Sequence, residues 1–257
     1  PGLCKSCQQC SCGIDRKSNI EELERHILKS SCMFDPKLNC MKLTYAKNTA
    51  IDMRRMVNNG DIAFNSAKRL DGRVYKLEQD SQDSFNKSLN DAFECKAINL
   101  IEDLNAEYPE LVTHPKRFLE PNFSFSGKQL TSKCRPTYNS SASYGPQDVS
   151  QNSVFLKGGG INDLLRCFVG FRLHEYGSSV DFSRAFYFVK CDSLAISLRR
   201  LWLPFVKEDG KDKIHFGRCK PLCKCKPVWK EAAFSSIVMG DVAGMAGLLV
   251  AIHTASD

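Results

Sequence analysis

At 257 residues, with 42% hydrophobic and 25% charged side chains and 16 Phe, the chain can bury the core of one large or two small domains and has the charge content of an ordinary soluble protein. Its longest apolar run, Val242 to Ile252, is 11 residues, well short of the roughly 20 that a spanning helix needs, so no transmembrane helix and no membrane partner are expected. The net charge of +7 and pI near 8.8 fit a nucleic-acid or acidic partner as well as a solvated basic surface.

Residues 1–19, rich in Cys, Gly, Ser and Lys, read as an irregular or metal-clamped head. A helix is expected to open at Asn19 to Glu24, with Ser18 or Asn19 as cap and acidic residues in the first turn, where the helix dipole favours them. Asp35-Pro36 ends that segment. Further helices are expected over Ala50 to Asn58, stopped by Asn59-Gly60, and over Asp61 to Arg69. The clearest helical period runs from Asp83 to Ala106 through Phe85, Leu89, Ala92, Phe93, Ala97, Leu100, Ile101 and Leu104, and Tyr108-Pro109 ends it. From Leu111 short apolar pieces among Pro, Ser, Asn and Gly predict strands and loops up to Gly160. Ile161 to Phe171 reads as helix. Ser178 to Lys190 reads as a strand running into a short helix or turn, and Leu194 to Val206 as strand. Glu208 to Lys211 is a turn, with Lys213 to Gly217 as its return strand, and Ala243 to His253 a closing helix. The expected class is α+β: a Cys-rich head (1–19), a helical region (20–110), then a mixed sheet with helices (111–257).

Thirteen cysteines gather in two clusters and a scatter. Cys4, Cys7, Cys10 and Cys12 place four thiolates within nine residues, a set that suits a tetrahedral structural zinc, although the Cys-x-Cys end is tight and Cys32 or Cys40 is a candidate to complete it. Disulfides or reduced thiols are the other readings of that cluster. Cys219, Cys223 and Cys225 stand among Arg218, Lys220, Lys224 and Lys226, and either form a second metal site with Cys191, pair as disulfides in an oxidising compartment, or belong as free thiols to a basic loop that touches phosphates or only solvent. His26, His114, His174, His215 and His253 have no metal spacing. Gly158-Gly159-Gly160 is a flexible turn, since no Lys-Ser/Thr pair follows it. With no signal peptide and a start at Pro1, the chain reads as a processed product or a fragment, intracellular and cytoplasmic.

Several segments in succession carry a resemblance. After the Cys-rich head and Glu21-Glu22-Leu23-Glu24 come Ser66-Ala67-Lys68-Arg69-Leu70, Phe85-Asn86, and the run Cys134-Arg135-Pro136-Thr137-Tyr138-Asn139-Ser140-Ser141-Ala142-Ser143-Tyr144. Leu156 to Gly160, Leu164 to Arg172, Val180-Asp181-Phe182-Ser183-Arg184-Ala185-Phe186, Leu201-Trp202-Leu203 and Val238-Met239-Gly240 follow. In that order they resemble the linker, fingers and first part of the palm of a BEL/Pao-type retrotransposon reverse transcriptase.

The resemblance implies a fold, a truncated fingers and palm of mixed sheet and helices, and it implies roles. Asp181 falls where the first metal-binding Asp of the polymerase would be, with Phe182 adding a carbonyl beside it. Phe186 lies where an aromatic ring blocks a ribose 2′-hydroxyl. Arg135 matches an Arg that pairs with the incoming triphosphate, and Lys133 is a helping point charge. The departures count equally. Nucleotidyl transfer needs several carboxylates around two Mg²⁺ ions, and no Tyr-x-Asp-Asp or equivalent occurs in these residues. Gly240-Asp241-Val242-Ala243-Gly244-Met245, which falls where the family has its polymerase motif B, lacks that motif's Pro, and Pro136 stands where a β-branched strand residue is usual. The expected function is that of a catalytically silent remnant, a structural or binding component with protein partners in an assembly. Two alternatives stand beside it. One is a piece of an active RNA-directed DNA polymerase that uses Mg²⁺; the other is nucleic-acid binding without catalysis.

Overall fold

The computed structural model describes residues 31–36, 40–45, 47–126, 133–156, 185–217 and 226–238. Over these the protein is α+β, with nine strands and five α-helices. Expectations for the Cys-rich head and for the helices at Asn19 to Glu24, Ile161 to Phe171 and Ala243 to His253 lie outside the described residues.

Strands β1 (Ser31–Asp35) and β2 (Cys40–Thr44) form an antiparallel hairpin, and β2 pairs in parallel with β6 (Val189–Cys191). Strands therefore enter the stretch expected to be helical. Helix α1 (Gly60–Val74) buries Ala63, Ala67, Leu70 and Val74, one face at helical spacing. Helix α2 (Gln79–Glu94) buries Phe85, Leu89 and Ala92. Strand β3 (Ile98–Leu100) and helix α3 (Ile101–Glu107) follow, so the single long helix expected from Asp83 to Ala106 is two helices with a strand between them.

Two other expectations are corrected. Ala50 to Asn58 holds a 3-10 turn, Met53–Arg55, in place of a helix. The Asp52 side chain accepts from the Arg54 amide at 3.1 Å, and the backbone at Val57 is extended into hydrogen bonds with Arg117 and Asp148. Leu194 to Val206 is not one strand. Asp192 caps helix α5 (Ser193–Ser197) by accepting from the Ala195 amide at 2.8 Å, and strand β7 begins only at Arg200.

The main sheet is antiparallel in the order β3-β9-β7-β8, with β7 (Arg200–Glu208), β8 (Lys211–Ile214) and β9 (Val228–Phe234). The expected turn and return strand after Glu208 are present as the β7–β8 hairpin. Strands β4 (Glu120–Ser126) and β5 (Lys133–Asn139) form a separate antiparallel ribbon, where strands were expected after Leu111; a one-turn helix, α4 (Gln151–Val154), comes later. One core gathers Leu43, Tyr45, Leu104, Leu111, Phe155 and Ile196. The other joins α1 and α2 to the main sheet through Leu70, Phe85, Leu89, Leu201, Phe205 and Phe216. The free edge of β8 is closed by two side-chain amides of α2. Asn90 donates to the Ile214 carbonyl and accepts from its amide, at 2.8 and 2.9 Å; Asn86 does the same for Phe216, at 2.9 and 2.7 Å.

Candidate nucleic-acid interface

Strand pairing makes the β4–β5 ribbon two-faced, because directly opposed residues of an antiparallel pair point the same way. Pro121, Phe123 and Phe125 share a face with Tyr138, Pro136 and Cys134; Glu120, Asn122 and Ser124 share the other with Asn139, Thr137 and Arg135. The apolar face is held by α2 and the main sheet. The Phe85 ring lies edge-on to Phe123 at 6.4 Å, Tyr138 packs on Phe234 at 5.0 Å, and Ser84 donates to the Cys134 carbonyl at 3.3 Å. Among the described residues the ribbon has two strands, so each keeps an edge without a strand partner, where Pro136 is tolerated.

The polar face looks outward, with Asn122, Ser124, Arg135, Thr137 and Asn139 exposed. Arg135 stands mid-strand opposite Ser124, on a backbone fixed from behind. Its guanidinium is thus presented to solvent from a rigid element, the arrangement that favours recognition of a phosphate or polyphosphate. Lys133 begins the same strand.

One end of the ribbon is locked by a polar chain. Ser66 of α1 donates to Glu120 Oε2 at 2.7 Å, and Arg69 donates to Ser66 Oγ at 3.1 Å. Tyr144 donates its hydroxyl to Glu120 Oε1 and accepts from Asn59 Nδ2 at 3.0 Å. Burial and the bond to Glu120 push the Tyr144 phenol up to about 12, so it remains a donor throughout the neutral range. Asn59 does not cap α1 with its side chain. It makes a two-way clamp on the Phe118 backbone instead, both bonds at 2.8 Å.

Of the other residues expected to act with Arg135, Lys133 and Phe186 are described. Asp181 and Phe182 lie outside the described residues, as do Cys4, Cys7, Cys10 and Cys12 of the zinc reading and Cys219, Cys223 and Cys225 of the second cluster. Phe186 lies in the 3-10 turn Ala185–Phe188, half-buried against the first core. Cys191 is buried, with Arg199 donating to its sulfur at 2.9 Å. Burial pushes the Cys32 and Cys40 thiols up, which favours their protonated form. Among the described residues no three His, Cys, Asp or Glu side chains form a set able to hold a metal. No described helix is long and apolar enough to cross a membrane.

The sequence reading did not single out the Glu120–Tyr144–Ser66–Asn59 chain, whose members are scattered over the sequence with no motif spacing. It also passed over the basic stripe that runs from α1 into the turn after it, which did leave a signal: Arg69, Arg73 and Lys76 recur at i, i+4 and i+7. Compared with protein-family models, curated proteins and solved structures, the chain matches none.

Proposed function

We propose that the chain is the fingers and first part of the palm of a BEL/Pao-type reverse transcriptase, and that these residues serve as a binding component of a larger assembly, not as a polymerase in themselves. The observation that carries the reading is the two-faced ribbon. The segment with the strongest family resemblance, from Cys134 onward, is a strand whose rear face is anchored to α2 and whose outer face presents Arg135. Such a ribbon suits contact with the phosphates of a nucleotide or nucleic acid. Asp181 supplies one carboxylate of the kind that two Mg²⁺ ions need, and Mg²⁺ has a role only where further carboxylates join it. The Cys-rich head remains a candidate for structural zinc through Cys4, Cys7, Cys10 and Cys12.

Titration of the 257-residue chain with a deoxynucleoside triphosphate tests the reading. Arg135→Ala is expected to weaken binding roughly tenfold or more, the effect of losing a charge-assisted hydrogen bond, and Arg135→Lys to restore only part of it. Unchanged binding in Arg135→Ala sinks the role assigned to the ribbon. Primer extension with Mg²⁺ or Mn²⁺ is expected to give no product. Extension that Asp181→Ala abolishes would replace this reading with the active-polymerase one.

A further inference from the structure

Between α1 and the polar side of the ribbon runs a groove of about 570 Å³, lined by Arg69, Arg73, Lys76, Glu120, Asn122 and Asn139 among others. Arg69 and Arg73 stand one turn apart on the helix, about 6 Å along its axis at 1.5 Å per residue, and Lys76 follows in the turn just past its end. Arg73 is steadied by the Phe123 ring, its guanidinium carbon 5.4 Å from the ring centroid.

A basic stripe on a helix is most often a solvated face, and two features set this one apart. The stripe faces a concavity, with a second wall of carboxamides from the ribbon. The one carboxylate lining the groove, Glu120, has its oxygens taken up by Ser66 and Tyr144, and Asp71 of α1 accepts from the Gly217 amide at 2.7 Å. Among the described residues, none of Arg69, Arg73 and Lys76 has a carboxylate within salt-bridge distance. The lining therefore carries three cations against one carboxylate, none of the cations paired among the described residues, beside amide donors suited to phosphate and sugar oxygens.

We propose that this groove is a nucleic-acid backbone site, read through phosphate charge and not through bases. No aromatic side chain lines it, so it offers no platform on which bases stack. Binding by three cations and neutral amides is sequence-tolerant and falls steeply with salt. The proposal rests on the reading of the ribbon only in naming nucleic acid as the polyanion.

Gly72 gives a test that spares the fold. It lies on the groove side of α1, exposed, and a Cβ added there meets nothing within 4 Å, so Gly72→Ala is accommodated and a Glu side chain starts from open space. Two labelled DNA duplexes of unrelated sequence are titrated with the full chain over a range of salt. Wild type and Gly72→Ala are expected to bind both duplexes alike. Gly72→Glu, which sets an anion among the three cations, is expected to bind roughly tenfold more weakly at low salt. Replacing Arg69, Arg73 and Lys76 by Gln one at a time is expected to flatten the logarithmic salt slope by about 1 for each. Duplex binding that is indifferent to Gly72→Glu and to the three Gln substitutions overturns the proposal. So does polyglutamate that displaces DNA charge for charge, which would assign the groove to an acidic protein surface. Arg135→Ala is expected to leave the Gly72→Glu effect intact. Triphosphate binding that ignores Arg135→Ala while the Gly72→Glu effect persists sinks the ribbon reading alone; triphosphate binding that falls in Arg135→Ala while duplex binding ignores Gly72→Glu sinks the groove alone.

Discussion

At the scale of single residues, the feature with most at stake is the ion pair of Arg117 and Asp148, whose side chains are 3% and 1% exposed. Asp148 accepts from Arg117 Nη2 at 2.9 Å and from the amides of Val57 and Tyr144 at 2.8 and 2.7 Å. Arg117 also donates to the carbonyls of Val57 and Ala142. One charge pair thus ties three distant segments together, among them the loop that carries Tyr144 to Glu120. Burial pushes the Asp148 carboxyl up, but the bonds from Val57, Arg117 and Tyr144 outweigh it and hold the group below the ordinary carboxylate range. A carboxylate held low in the fold adds stability above its unfolded value, about 3.9, and that stability is lost as pH falls through the folded value. Urea unfolding over an acid pH series is expected to show wild type weakening below about pH 4, with Asp148→Asn less stable at pH 7 and flatter across the series. Arg117→Met leaves a buried carboxylate unpaired and is expected to cost about 3–5 kcal/mol. A variant within 1 kcal/mol of wild type, on the scale of an exposed pair, would show that the pair is worth no more than a surface bridge.

At the scale of elements, helix faces were legible and helix ends were not. Leu70 and Val74 extend the expected Asp61 to Arg69 helix simply by continuing its buried stripe. The apolar period from Phe85 to Leu104 also continues, yet the chain reverses at Lys96, which adopts φ +57°. The Ala97 amide returns to the Ala92 carbonyl and the Lys96 amide to Phe93, the pattern that usually recruits glycine to end a helix. With Lys in the left-handed position no stop signal was on show. The reversal is held from afar, by β3 pairing with β9 and by Ser235 and Lys190 donating to the Lys96 carbonyl. The amides of α2 belong to the same class of hidden device. Asn86 and Asn90 are about 6 Å apart along a helix axis, and Ile214 and Phe216 are about 6.6 Å apart along an extended chain, so two side chains act as a further strand against β8. Asn90→Leu strips both partners from the Ile214 backbone and is expected to cost about 2–3 kcal/mol, with faster exchange of the Ile214 amide. Exchange at Phe216 should respond to Asn86→Leu in the same way. Unchanged exchange in both variants would mean that the strand edge holds itself.

At the scale of the whole molecule, the described fold closes through β9, which lies between β3 and β7 although it comes last of the strands in the sequence. No local pattern announces this. Val228 to Phe234 carries Lys, Glu and two alanines, and its register with Ile98 to Leu100 spans well over a hundred residues. By contrast, the β7–β8 turn is written plainly in Asp209-Gly210, both with positive φ, at +50° and +75°. The interface reads likewise: Arg135 stood out within a resembling segment, whereas the groove took its second wall from tertiary packing. The topology makes opposite predictions for these two places. A flexible insertion between Asp209 and Gly210 lengthens an exposed turn and is expected to move the melting temperature by only a few degrees. Deletion of 228–238 removes the central strand and exposes the core beneath Phe85, Leu201 and Phe216, and is expected to abolish cooperative urea unfolding. A cooperative transition that survives the deletion would instead make α1, α2 and the ribbon a folding unit of their own. Duplex binding by the deleted chain would then follow that unit, because every residue lining the groove belongs to α1, the four-residue link after it or the ribbon.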